Sequence, residues 1–238
     1  MKKLILFISF ALLSVVMYGQ AGNQTFAISA GAMFPLGDLG NNNLADSSSG
    51  AAANGIHIQV SYDYQISHYF GLGVDVEVCS AKYSMKKVSK YYENMESDTQ
   101  REYFSTNGWT LGGIYVRYYL HLPLGKKVSW DIAPLVGAMA TYSPKYTITS
   151  TSIIPPGPNP SHTYYRQRSK AFSFAYGMET KINFRASHHG FFIEGRILNS
   201  KTNFKHVVGT GYNGKPYDKG IKMNLMYITA SLGYTYYL

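Results

Sequence analysis

Seven histidines, one cysteine and a set of acids and bases at alternate positions are the residues of this 238-residue chain that could do chemistry. His188 and His189 are adjacent and could hold a metal, but their setting between two apolar runs reads as a solvated turn, as does that of His68. His162 beside Ser161, and His206 near Thr210, offer a base next to a hydroxyl, yet neither pair has the spacing of a nucleophile and its base. A nucleophile elbow, a zinc-binding helix motif and a phosphate-cradling glycine loop are all missing from the sequence. We therefore expect no catalytic residue, no metal site and no cofactor.

The charged residues follow a different logic. Asp63, Asp75, Glu77, Arg117, Asp131, Glu179, Lys181, Arg185, Glu194 and Arg196 each fall on the polar side of a segment whose other side is apolar. In residues 171–185, "AFSFAYGMETKINFR", the even positions Phe172, Phe174, Tyr176, Met178, Ile182 and Phe184 are apolar, and Glu179, Lys181, Asn183 and Arg185 alternate with them. Such period-two alternation is the signature of a strand with two unlike faces. It recurs eight times, with apolar faces over Phe26 to Phe34, Ile56 to Ile66, Leu72 to Val78, Ile114 to Leu122, Trp130 to Tyr142, Phe172 to Phe184, Phe191 to Ile197 and Ile228 to Leu238.

The links between these strands alternate in length. Long segments at 36–54, 85–107, 144–170 and 200–220 are interleaved with short turns near 67–68, 125–127 and 186–190. The pattern predicts an all-β fold, an eight-stranded antiparallel up-and-down transmembrane β-barrel, with four long extracellular loops and tight periplasmic turns. A helix over 85–103 stays open as an alternative.

Composition agrees. Charged residues are 15% of the chain, against about 25% in a typical soluble domain, while Tyr occurs 22 times and Gly 23 times. A soluble sandwich would turn its charged faces outward and carry more Lys and Glu on them. Here the second faces hold mostly Gly, Ala, Ser and Tyr, which suit the crowded interior of a narrow barrel. The ten charges above then point inward, where they survive only if paired, so we expect a salt-bridged plug with His57 and His121 as members. Tyr62, Tyr64, Trp130, Phe184, Tyr234 and Tyr236 lie near turn ends and should form an interfacial girdle.

The first residues, "MKKLILFISFALLSVVMYGQ", combine a basic start, an apolar run and a small Gly19 before Gln20. Residues 1–19 are expected to be a signal peptide and 20–238 the barrel, placed in the cell outer membrane after export with its termini periplasmic. The lone Cys79 provides neither a lipidation site after the apolar run nor an intramolecular disulfide. Losing Lys2 and Lys3 leaves 20 basic against 13 acidic residues, a net charge of +7. On an exported chain this favours anionic lipid or polysaccharide over nucleic acid as a partner. Lys86, Lys87, Lys90, Arg101, Lys145, Arg166, Arg168, Lys170, Lys201 and Lys205 in the long segments could meet lipopolysaccharide phosphates.

With these features in place, the chain resembles the small outer-membrane β-barrels of the OmpA-like and OmpX-like class. Its Tyr-rich sequence and "YGQ" signal end are similar to PorT-like barrel domains. The final "ITASLGYTYYL", with Tyr234, Tyr236 and Leu238 at two-residue steps, resembles the C-terminal insertion signal of such barrels, although their usual last residue is Phe. The resemblance implies outer-membrane lipid and the barrel-assembly machinery as partners, the latter through the last strand. It implies a non-enzymatic barrel whose loops contact glycolipid, ligand or partner proteins. The alternatives are an accessory subunit of a secretion or uptake complex, hence a larger membrane assembly, and a lipid A-modifying enzyme.

Overall fold

The structure is a computed structural model that describes residues 24–43, 46–84, 100–152, 162–210 and 214–238. The expected signal peptide therefore lies outside the described residues, and so does most of the segment for which a helix was an alternative. The elements are β1 (Gln24–Leu36), a short helix α1 (Gly37–Gly40), β2 (Ala52–Gln65), β3 (Phe70–Tyr83), β4 (Gln100–Thr106), β5 (Trp109–Pro123) and β6 (Val128–Tyr142). They continue with β7 (Tyr146–Ser152), β8 (His162–Arg166), β9 (Lys170–Ala186), β10 (His189–Thr210) and β11 (Pro216–Tyr237).

Eight of the strands close a ring. The order β1, β2, β3, β5, β6, β9, β10, β11 is antiparallel throughout, and β11 returns to β1 along a register that runs from Thr25 opposite Tyr237 to Leu36 opposite Met226. Closure leaves the ring without a free edge, so its backbone polar groups are paired inside the wall. The expected eight-stranded up-and-down barrel is the observed fold.

The outward face is a belt of exposed apolar side chains on every strand of the ring, among them Ile28, Ile56, Val76, Ile114, Val136, Phe172, Ile193 and Leu232. Phe172 is 74% and Leu232 67% exposed, values that a water-facing surface would not sustain around a whole circumference. The belt is the lipid face of a transmembrane barrel. At its turn end sit Phe26 against Tyr62, Phe70 against Tyr118 and Phe191 against Tyr234, ring pairs 5.0 to 5.8 Å apart at their centroids. Trp130 and Phe184 lie at the same end, opposite Ile182 and Val128.

The long-loop end departs from the sequence expectation. Residues 200–220, read as a loop, are instead the upper halves of two 22-residue strands, β10 and β11, paired from Ser200 opposite Leu225 to Thr210 opposite Pro216. The segments at 85–107 and 144–170 likewise supply β4, β7 and β8. These pair as β4–β7–β8 and join the top of β10 at Gly209 opposite Arg166. One side of the barrel wall thus rises above the apolar belt as a five-stranded sheet. The alternation is interrupted by a register shift between Phe204 and Val207, and the outer face turns from Phe and Ile to Lys201, Lys205 and Lys222. A strand leaving lipid for water has no reason to keep an apolar outer face, which is why hydropathy alone ended it early.

Candidate functional site

The interior is filled in two tiers, which the inward positions of single strands display. Along β3 they run Gly73, Asp75, Glu77, Cys79 and Ala81 from turn end to loop end, and along β5 they run Tyr119, Arg117, Tyr115, Gly113, Leu111 and Trp109 in the same direction, all of them buried. The lower tier is charged. The upper tier, containing Met33, Leu111, Met139, Leu198, Phe204, Met223 and Leu225, is apolar.

In the lower tier two fully buried guanidiniums, those of Arg117 and Arg196, are bridged by two carboxylates. Asp75 faces Arg117 at 3.2 Å and Arg196 at 2.8 Å, and Glu179 is paired with both. Arg117 also binds Asp63 at 2.6 Å, Lys181 reaches Asp63 at 3.3 Å, and Arg196 reaches Glu77 at 3.2 Å. The planar fork of Arg suits such shared pairing, because it offers five donors in fixed directions. Room for it is made by Gly73, where a Cβ would stand 2.2 Å from Asp63 Oδ1 and 2.6 Å from Arg117 Nε.

Above this square, Glu77 collects donors. Tyr115 and Tyr227 donate hydroxyl hydrogen bonds to it and His57 Nε2 lies 3.2 Å away, with the other ring nitrogen 2.8 Å from Ser231 Oγ. At the turn end Asp131 accepts from Asn183 at 2.6 Å and faces His121 Nδ1 at 2.6 Å. Glu194 is buried, with Arg196 Nε 3.9 Å from one oxygen and, among the described residues, no hydrogen-bond partner for either oxygen.

Nine of the ten charges expected inside are buried, namely Asp63, Asp75, Glu77, Arg117, Asp131, Glu179, Lys181, Glu194 and Arg196. Arg185 is the correction. It has inward parity on β9 but sits past the end of the filled interior, exposed, with its guanidinium 4.2 Å over the Tyr237 ring and Nε donating to Ser187 O at 3.1 Å. The barrel ends before the alternation does. Without Arg185 the buried set holds six carboxyls against three Lys and Arg, so it is acidic rather than balanced; His57 and His121 each face one of those carboxyls.

The remaining sequence candidates are dispersed. His188 and His189 are exposed at the β9–β10 turn, against Tyr237 O and the Tyr234 hydroxyl. His206 is exposed and 3.1 Å from Asp218, and the side chain of His162 is outside the described set. His57, Glu77 and Cys79 bring three potential ligand atoms within 4.8 Å of one another. Both Glu77 oxygens already accept two donors each, so a cation there would have to break bonds that the fold makes. Of the terminal residues, Tyr236 and Leu238 face outward and Tyr234 is half-buried against His189 and Phe191.

The mouth of the barrel is a feature the alternation did not reveal. Segment 46–51 folds down onto it: Leu39 and Ala51 are fully buried, and Trp109 Nε1 donates to Gly50 O at 2.8 Å. Gly50 N in turn donates to Asp38 O at 2.7 Å, and Asp38 accepts from Asn224 N at 2.7 Å. Outside the wall, below β8, a shallow groove of about 580 Å³ lies between β9 and β10, with Arg168, Lys170 and Lys205 beside Phe172. Arg168 stacks 4.9 Å from the Tyr142 ring and donates to Thr110 Oγ1 at 3.0 Å.

No protein-family model and no curated protein sequence matches the chain. Solved structures with a similar fold include small outer-membrane β-barrels. Neisserial surface protein A is 13% identical with a TM-score of 0.45, over 92% of this chain and 99% of that one. A major outer membrane protein from Thermus thermophilus is 11% identical with a TM-score of 0.46, over 90% and 99%. Ail, the attachment invasion locus protein of Yersinia pestis, is 12% identical with a TM-score of 0.41, over 91% and 100%.

Proposed function

We propose that this transmembrane barrel is a non-enzymatic protein of the bacterial outer membrane. Its closed interior serves as a rigid mount, and its raised, long-loop side is extracellular and makes contact with surface glycolipid, a ligand or a partner protein. One observation carries this reading: the lumen is filled from the Asp131 layer to the Trp109 layer, while five strands continue beyond the lipid belt. A filled lumen favours holding a platform over passing solutes. Lys170, Lys201 and Lys205 stand exposed just above the Phe172 and Phe174 belt, the depth of an outer-leaflet phosphate. Exposed strands of this kind also suit the alternative of an accessory subunit.

Two measurements test it. Purified protein in planar bilayers is expected to give no single-channel steps of porin size, and such steps would refute the filled lumen. In micelles, added lipopolysaccharide should raise the unfolding temperature of the wild type and do so less for a Lys170→Gln, Lys201→Gln, Lys205→Gln variant. An equal rise in both would refute the glycolipid contact.

A further inference from the structure

Between the inner face of the raised sheet and the folded-down segment 46–49 lies a second cleft, of about 240 Å³. Tyr146 on β7, Arg166 on β8, and Tyr217 and Lys219 on β11 project into it from one side, and Asp46, Ser47 and Ser49 line the other. The sheet's own geometry aims these residues there. Inward positions of β11 are the odd ones, from Tyr227 up through Ile221 to Lys219 and Tyr217, and the β7–β8 register sets Tyr146 opposite Arg166. Gly209 lets the layers close, since a Cβ there would stand 2.3 Å from Tyr165 O and 2.7 Å from the Tyr217 hydroxyl.

The unusual member is Arg166. Among the described residues its Nε and Nη2, shielded from solvent, have no hydrogen-bond partner. A guanidinium is always charged, and two of its nitrogens left without acceptors in a shielded position are costly unless something from outside accepts from them. The neighbouring acid does not serve: Asp46 accepts from the Ser48 N–H at 2.9 Å and the Ser48 hydroxyl at 2.7 Å, and these bonds hold its carboxyl below the usual range. Lys219 adds a second cation, its Nζ 5.5 Å over the Tyr217 ring. Burial pushes the Tyr217 phenol up to about 12, so it remains a neutral hydroxyl that does not repel an anion.

From this geometry we infer that the cleft binds a sugar bearing an oxyanion, with the carboxylate, phosphate or sulfate held by the fork of Arg166 and the ring set among the hydroxyls of Tyr and Ser. The volume is below the roughly 300 Å³ at which drug-sized sites begin, so it suits one sugar unit rather than a peptide or an acyl chain. The inference rests on the contact reading above and narrows it to one site and one chemical class.

The test uses the full mature protein in detergent and isothermal titration with glucuronate, glucose 6-sulfate, inorganic sulfate and glucose. The two charged sugars should bind saturably and more tightly than sulfate, and glucose should not bind. Arg166→Gln is expected to weaken the charged sugars by about tenfold or more, Lys219→Gln by less, and Arg166→Lys to restore only part, because an ammonium lacks the fork. Circular dichroism melts check that each variant folds, and Lys219→Gln tests the same cleft should Arg166→Gln fail to fold. No binding by the wild type, equal affinity for sulfate and the sulfated sugar, or unchanged affinity in both cleft variants would overturn the inference. Loss of sugar binding in the Lys170, Lys201, Lys205 variant alone would overturn it too, while leaving the platform reading standing.

Discussion

Replacing Arg117 with Ala is the most informative perturbation of the interior. Its guanidinium is 1% exposed and faces Asp63, Asp75 and Glu179, so its removal strands three buried carboxylates with only Arg196 and Lys181 to answer them. Breaking a buried ion pair by deleting one partner costs about 3–5 kcal/mol, most of it the penalty of the uncompensated charge. At a urea slope of about 2 kcal/mol per molar, the unfolding midpoint should fall by roughly 1.5–2.5 M. Arg185→Ala is the matched control, since it removes the same side chain from an exposed site above Tyr237 and should cost no more than about 1 kcal/mol. Both can be read in micelles from tryptophan emission, because Trp109 is buried in the upper tier and Trp130 is exposed on the belt. A double variant lacking Glu179 as well should lose less than the two single losses added, since each single change leaves the other charge unanswered. Equal midpoints for Arg117→Ala and Arg185→Ala would refute the buried-square account.

Three further outcomes follow from the same geometry. Val136→Arg, midway along the lipid face, should cost about 2–4 kcal/mol and reduce the folded fraction in outer-membrane extracts; Thr141→Ser on the inward face of the same strand, losing one methyl group, should cost only about 1 kcal/mol. Equal yields of the two would reverse the inside-out assignment. Gly73→Ala, with its Cβ forced against Asp63 and Arg117, should destabilise by about 1–3 kcal/mol in urea titration, whereas Gly125→Ala, in open space at a turn, should change little. Trp109→Phe removes the donor to Gly50 O, and cleavage within 46–50 by added protease should become roughly fivefold faster; an unchanged rate would show that this bond does not hold the cap down.

The raised sheet shows where alternation stops being a reliable guide. Outward residues of β10 change from Phe191, Ile193 and Ile197 to Lys201 and Lys205 at the level where lipid ends, so a reading by hydropathy closes the strand near Ser200 although its hydrogen bonds run on to Thr210. The apolar upper tier was hidden for the converse reason. Met33 stands between Ala32 and Phe34, and Met139 between Ala138 and Ala140, so both faces read alike there and nothing in the pattern marks one of them as interior.

By itself the sequence determined the eight spanning strands, their direction of alternation and the identity of nine buried charges. Those depend on a solvent that changes at every second residue, and a period of two is local information. Only the tertiary structure decided which carboxylate meets which guanidinium, that Arg185 falls beyond the rim, that segment 46–51 closes the mouth, and that Arg166 faces a cleft with two of its nitrogens unpaired among the described residues. Each depends on ring closure, strand stagger and strand length, which bring residues as far apart as Glu77 and Arg196 into contact and which no window along the chain contains.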